Sequence, residues 1–253
     1  DNPTISSHHC LIVRSGDSRL AAFDASDGRR KWLFQRQSPA LALRVTAPPV
    51  IDGMYVFAGF PGGKLIAVTL NNGVSVWEGT VALPKGTTEL ERVADVTSSP
   101  VIGGRTICAV AFQGRVACFD LNNGNLLWAR DMSSSVGLTM DSRYLFVTDD
   151  KGAVHALDLA SGASVWKQDA LSMRGVSAPL ARRGLIAAAD VQGVVHFLNR
   201  EDGAFAARLN TDGSPVLASP QALGRNLLIQ TGKGGLYAIE PESNHPSSSS
   251  VGP

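Results

Sequence analysis

The chain has 253 residues, 44% of them hydrophobic, and its 23 basic and 22 acidic side chains leave a formal net charge of +1. That is enough apolar material for a large core, and the balanced charge gives no electrostatic footprint for nucleic acid or an anionic membrane surface. No apolar stretch approaches 18 residues, which excludes a transmembrane helix, and the opening segment from Asp1 to Cys10 has neither the charged nor the apolar region of a signal sequence.

His8, His9 and Cys10 are the first residues with metal-ligand chemistry, but no fourth ligand stands at a usable spacing. From Leu20 onward a phrase repeats. Leu20, Ala22, Asp24, Gly28 and Trp32 return as Leu65, Ala67, Thr69, Gly73 and Trp77, then as Val116, Cys118, Asp120, Gly124 and Trp128. A fourth copy is Val154, Ala156, Asp158, Gly162 and Trp166, so all four tryptophans stand four residues after a turn glycine. A fifth keeps Val195, Asn199 and Gly203 but has Ala207 in the tryptophan place, and a sixth, Leu236 to Glu240, stops halfway. Successive turn glycines are 45, 51, 38 and 41 residues apart, the period of propellers and solenoids.

Each copy reads as four short runs rich in β-branched residues with hairpin turns between them. In the third, Val101 and Ile102 lead to Gly103-Gly104, Arg105–Phe112 to Gln113-Gly114, and Arg115–Leu121 to Asn122-Asn123-Gly124, with Asn125–Arg130 last. Four antiparallel strands per copy make a propeller blade. Pro49, Pro100, Pro179 and Pro220 open the first strand, where no ladder donor is required. The expected fold is therefore all-β, a β-propeller of four-stranded antiparallel blades over about residues 10–240. Counted from Cys10, the first blade lacks its innermost strand and the last its outermost, so the chain is expected to be part of a longer propeller. Residues 241–253, rich in Ser and Pro, are expected to be disordered or appended to the fold.

Within a blade, each tryptophan is expected to pack on the small residue two before the turn acid: Ala22, Ala67, Cys118 or Ala156. The fifth copy reverses the sizes, with Phe197 facing Ala207, an exchange that conserves volume. Asp24, Asp120 and Asp158 are expected to bind the backbone of their turns, a structural role. Cys108 and Cys118 flank the Gln113 hairpin symmetrically and read either as a cross-strand bridge or as two small buried thiols. His155 and His196 share a strand position without any recurring ligand partner, which favours packing over metal binding.

Two connectors stand out. Arg44 lies five residues before Pro49 and Asp95 five before Pro100, so they occupy equivalent places on neighbouring blades and emerge on one face. Side by side they could form an exposed ion pair of about 0–1 kcal/mol. Leu41 and Leu43 beside them read as an apolar patch for a partner or, because Leu171 recurs in the same pattern before Arg174, as seals for the blade ends. Residues alone leave both readings open.

The phrase that runs from Ala22 and Asp24 to Trp32, and from Ala156 and Asp158 to Trp166, resembles the pyrroloquinoline-quinone-type propeller repeat. Together with the connectors Ser38–Arg44 and Leu90–Pro100, it is most similar to the BamB family, lipoprotein scaffolds of the outer-membrane β-barrel assembly machinery. The resemblance covers Leu11 to Glu240 and implies an eight-bladed propeller at the periplasmic face of the outer membrane. It also implies a lipid-bearing N-terminal cysteine, a feature that Cys10 does not match, having no lipobox before it. It further implies that Leu41, Leu43, Arg44 and Asp95 dock onto the periplasmic POTRA domains of a BamA-type barrel-inserting partner, with unfolded outer-membrane proteins as a further class of client. Thr97 stands where the family often has a second acid, which weakens an electrostatic role for that position.

No cofactor, metal or catalytic role is expected. Quinoprotein dehydrogenases carry adjacent bridged cysteines and a calcium site, and this sequence has no Cys-Cys pair and no triad or carboxylate pair apart from the turn acids. The competing reading is a quinone- or sugar-binding propeller that acts as a ligand sensor.

Overall fold

Short apolar runs broken by Gly, Asn and Asp can satisfy their backbone groups only by pairing with their neighbours, and the chain folds as a series of meanders. The structure, a computed structural model, describes residues 2–5, 10–43 and 47–241, and every regular element among them is a β-strand. Blade 1 comprises Asn2–Ile5, Cys10–Ser15, Arg19–Asp24 and Arg30–Gln35; blade 2, Val50–Asp52, Tyr55–Phe60, Lys64–Thr69 and Ser75–Thr80. Blade 3 comprises Val101–Gly103, Thr106–Val110, Arg115–Asp120 and Leu126–Asp131; blade 4, Gly137–Met140, Tyr144–Thr148, Val154–Asp158 and Ser164–Gln168. Blade 5 comprises Leu180–Arg182, Leu185–Ala189, Val194–Asn199 and Phe205–Asn210; blade 6 has three strands, Gln221–Leu223, Asn226–Gln230 and Leu236–Ile239.

One expectation needs correction. Blade 1 has its innermost strand, because Asn2–Ile5 pairs antiparallel with Leu11–Arg14. The segment escaped sequence reading because Asn2-Pro3-Thr4-Ile5 has neither alternation nor a turn signal after it. His8, His9 and the tail beyond Pro241 lie outside the described residues.

Apolar packing runs between blades. Phe57, Leu65 and Trp77 of blade 2 meet Ile107, Ala117 and Phe119 of blade 3 in one cluster, and comparable clusters join blades 1 and 2, 3 and 4, 4 and 5, and 5 and 6. Blades 2 to 5 are thus covered on both faces, as stacked repeats require.

A row of three side chains crosses each four-stranded sheet in register. It reads Ile12–Ala22–Trp32 in blade 1, Phe57–Ala67–Trp77 in blade 2 and Phe146–Ala156–Trp166 in blade 4. Blade 5 inverts it to Ala187–Phe197–Ala207, which bears out the size exchange and extends it to a third position. In blade 3 the row is Cys108–Cys118–Trp128, and the two cysteines form a disulfide across a Cα separation of 4.1 Å. The cross-link takes the place of the Phe–Ala pair of blades 2 and 4. The thiol alternative is therefore set aside for this pair, while Cys10 is buried and unpaired.

The phase lock between tryptophan and glycine acts between blades. Trp77 lies on Gly124 of the next blade, where an added Cβ would stand 2.6 Å from the indole, and its Nε1 donates to the Leu121 carbonyl at 3.0 Å. Trp32 meets Gly73 and Leu70, Trp128 meets Gly162 and Leu159, and Trp166 meets Gly203 and Arg200 in the same way. Gly124 has φ +71°, so both its backbone conformation and the ring above it demand glycine. Gly28 shares that φ but has nothing above it in this chain. Turn acids act as expected: Asp24 Oδ1 accepts the Ser26 N–H at 2.9 Å, and Asp158 Oδ1 the Ser161 N–H at 2.9 Å.

Candidate docking face

Because strands alternate in direction within a meander, every hairpin between second and third strands lies at the same end as the connectors that join blades. Those loops build one face. The connector from blade 1 to blade 2 carries Leu41, 40% exposed, and Leu43, half-buried, while Arg44 lies outside the described residues. Pro39 of this connector sits beside Gly62 in the blade 2 hairpin, where an added Cβ would be 3.6 Å from its ring.

The next connector packs against the same hairpin through Val96, which rests on Gly59 so closely that a Cβ there would overlap its side chain. Asp95 is 3% exposed and Thr97 is buried too. The Asp95 carboxylate accepts the Leu43 N–H at 2.7 Å and the Gly62 N–H at 2.9 Å. Thr97 Oγ1 donates to the Ser135 carbonyl at 3.2 Å, tying this connector to the one after it. Leu83 and Leu90, both strongly exposed, lie on the same connector. Their exposure was not legible in sequence, since an apolar residue in a long loop reads equally well as a seal.

The register-equivalent connector after blade 4 is different. Leu171, the counterpart of Leu41, is 1% exposed. Arg174, the counterpart of Arg44, turns inward, with Nε donating to Asp190 Oδ2 at 2.7 Å and Nη2 to Gln192 Oε1 at 2.8 Å. His196 Nε2 also meets Asp190 Oδ2, at 2.9 Å, and His155 makes the same contact with Asp149 at 2.8 Å. The two histidines therefore brace hairpins in place of merely packing, a role signalled in sequence only by the acid six residues before each. Burial pushes the His196 imidazole below its usual pKa, while for Asp190 burial is outweighed by His196, the Val194 N–H and Arg174, which hold the carboxyl low. Among the described residues no cluster of His, Cys, Asp and Glu has metal-site geometry.

A cavity of about 450 Å³ opens among the first strands, lined by Thr97, Ser98, Val101, Val136, Ala178 and Pro220, among others. None of its lining side chains is ionisable. Its polar groups are the hydroxyls of Thr97, Ser98, Ser99, Thr139 and Ser219 and the Gln221 amide.

A family profile described as outer membrane protein assembly factor BamB matches residues 2–168. The chain belongs to the BamB family. It is 44% identical over 238 residues to the outer membrane protein assembly factor BamB of Bordetella pertussis, a match that covers 94% of this chain and 62% of that relative. The chain thus spans about three fifths of that relative's length. The crystal structure of BamB from Moraxella catarrhalis is similar with a TM-score of 0.87 at 26% identity, over 93% of this chain and 70% of that one. A europium-containing methanol dehydrogenase, at TM-score 0.68 and 14% identity over 83% of this chain and 50% of that one, shares the fold alone. The all-β architecture of four-stranded antiparallel blades is that of BamB propellers.

Proposed function

We propose that this chain is the propeller part of a non-catalytic scaffold for assembly of outer-membrane β-barrel proteins. Its connector face docks the periplasmic POTRA domains of a BamA-type barrel-inserting partner through Leu41, Leu43 and Arg44, while Asp95 and Thr97, expected from the sequence to be contacts, are buried in the adjoining connector and stand behind that surface. The observation that carries this reading is the contrast between Leu41 and Leu171, equivalent in register yet 40% and 1% exposed. A leucine that merely sealed the blade end would be buried in both places.

A buried disulfide is at home in an oxidising compartment, which supports placement at the periplasmic face of the outer membrane.

The reading is tested by isothermal titration of the chain with the partner's soluble periplasmic domains and, separately, with pyrroloquinoline quinone. Heat of binding with the domains and none with the quinone is expected. The reverse result would make the propeller a ligand sensor.

A further inference from the structure

Asp95 does not have the surroundings of a contact residue. Both carboxylate oxygens are engaged by backbone N–H groups, those of Leu43 and Gly62, and its carbonyl accepts the Phe112 N–H at 2.9 Å. One residue thereby joins three loops: the connector from blade 1 to blade 2, the blade 2 hairpin and the blade 3 hairpin. With 3% of its surface exposed, a cation on a partner could reach the carboxylate only by breaking bonds that compensate its burial.

The same position in another connector shows the same habit. Arg174 accepts the Val191 N–H on its carbonyl at 3.2 Å, as Asp95 does that of Phe112, and its side chain also turns inward, onto Asp190 and Gln192. This site in the repeat is where loops of the connector face are clamped to one another. What distinguishes Asp95 is the loop it clamps. An acid there can accept from a backbone N–H on each side at once, and one of those N–H groups belongs to Leu43.

We infer that Asp95 is a positioning residue for docking: it fixes the Leu43 backbone, and so the presentation of the Leu41–Leu43 apolar pair, without touching the partner. The inference rests on the docking function proposed above. Loss of the carboxylate frees the Leu43 N–H and lets the connector depart from the hairpin. Thr97 provides an internal comparison, because it lies two residues away, is equally buried and clamps Ser135 instead of Leu43.

The test measures, for wild type, Asp95→Ala, Asp95→Asn, Thr97→Val and Leu43→Ala, hydrogen exchange at the Leu43 amide and affinity for the partner's soluble periplasmic domains. Asp95→Ala is expected to abolish Leu43 protection and to weaken binding about tenfold or more. That ratio to wild type should be equal at about 0.1 M and about 1 M salt, because no ion pair is lost across the interface. Asp95→Asn, which keeps one acceptor oxygen and the side-chain shape, should fall between, and Thr97→Val should leave both readouts at wild-type values. Weaker binding with Leu43 protection intact, or a ratio that collapses at high salt, would make Asp95 a direct contact and overturn the inference. So would unchanged binding in Asp95→Ala when Leu43→Ala binds weakly. Full binding by Leu43→Ala would instead sink the docking reading on which the inference rests.

Discussion

Leu41 and Leu171 each stand three residues before an arginine in register-equivalent connectors, yet Leu41 is 40% exposed and Leu171 1%. The difference follows from what each connector lies on. Arg174 is drawn down onto Asp190 and Gln192, and its connector closes over the end of blade 5. The earlier connector is held at Leu43 by Asp95 and beside Gly62 by Pro39, which leaves Leu41 facing outward.

Blade-to-blade stacking predicts the effect of a single methyl. Gly124→Ala should destabilise by about 2 kcal/mol or more, since it both strains a left-handed backbone and drives a Cβ into the Trp77 ring. Gly28→Ala has the same φ and no ring above it, so its loss should be only about 1 kcal/mol. Chemical denaturation of the two variants measures the difference, and equal losses would separate the glycine from its tryptophan.

The disulfide should be present in the purified protein and should contribute about 2–3 kcal/mol, given a sequence separation of 10 residues. Mass spectrometry under non-reducing conditions reads the bond, and unfolding with and without reductant reads its contribution. Because the bond occupies the Phe–Ala place of blades 2 and 4, Cys108→Phe with Cys118→Ala should fold stably and become indifferent to reductant. A double variant that fails to fold would show that the row is not interchangeable between blades.

Acid should weaken blade 5 first. His196 is buried against Asp190, with Arg174 and Arg208 raising the cost of a proton, so its pKa in the fold lies below the unfolded value of about 6.5. Between those two values the unfolded chain binds more protons, so stability falls as pH drops through about 6.5. Asp190, held below its own ordinary value of 3.8, loses its contribution only under that pH and does not act in this window. The thermal midpoint should therefore fall less between about pH 7 and about pH 5 in His196→Gln than in wild type. An identical pH slope in the two proteins would remove the histidine from the account.

The repeat was legible because propeller blades place Asp, Gly and Trp at fixed offsets, and each offset has a local or nearest-neighbour cause. Trp32 to Trp166 fell in equivalent fourth strands for that reason, and Phe197 opposite Ala207 could be read as a volume exchange. Part of what could not be read depended on contacts between loops distant in sequence. Asp95 was visible as a charge, but its use by the Leu43 and Gly62 backbones follows from how two connectors cross one hairpin. The His155–Asp149 and His196–Asp190 pairs were hidden because hairpin closure, not strand periodicity, brings them together. The Asn2–Ile5 strand was missed because its pairing gives it order that its own residues do not signal.

The most direct measurement of the central claim compares Leu41→Ala, Leu43→Ala, Arg44→Glu and Leu171→Ala for both thermal stability and titration with the partner's periplasmic domains. An exposed apolar anchor carries interface energy with little folding energy, so Leu41→Ala, Leu43→Ala and Arg44→Glu should bind more weakly by about 2 kcal/mol while unfolding near the wild-type midpoint. Leu171→Ala should show the opposite, a loss of about 2–5 kcal/mol in stability with binding intact. Wild-type affinity in Leu41→Ala, Leu43→Ala and Arg44→Glu, with Leu41→Ala destabilised as much as Leu171→Ala, would contradict the account and return Leu41 to the role of a blade seal.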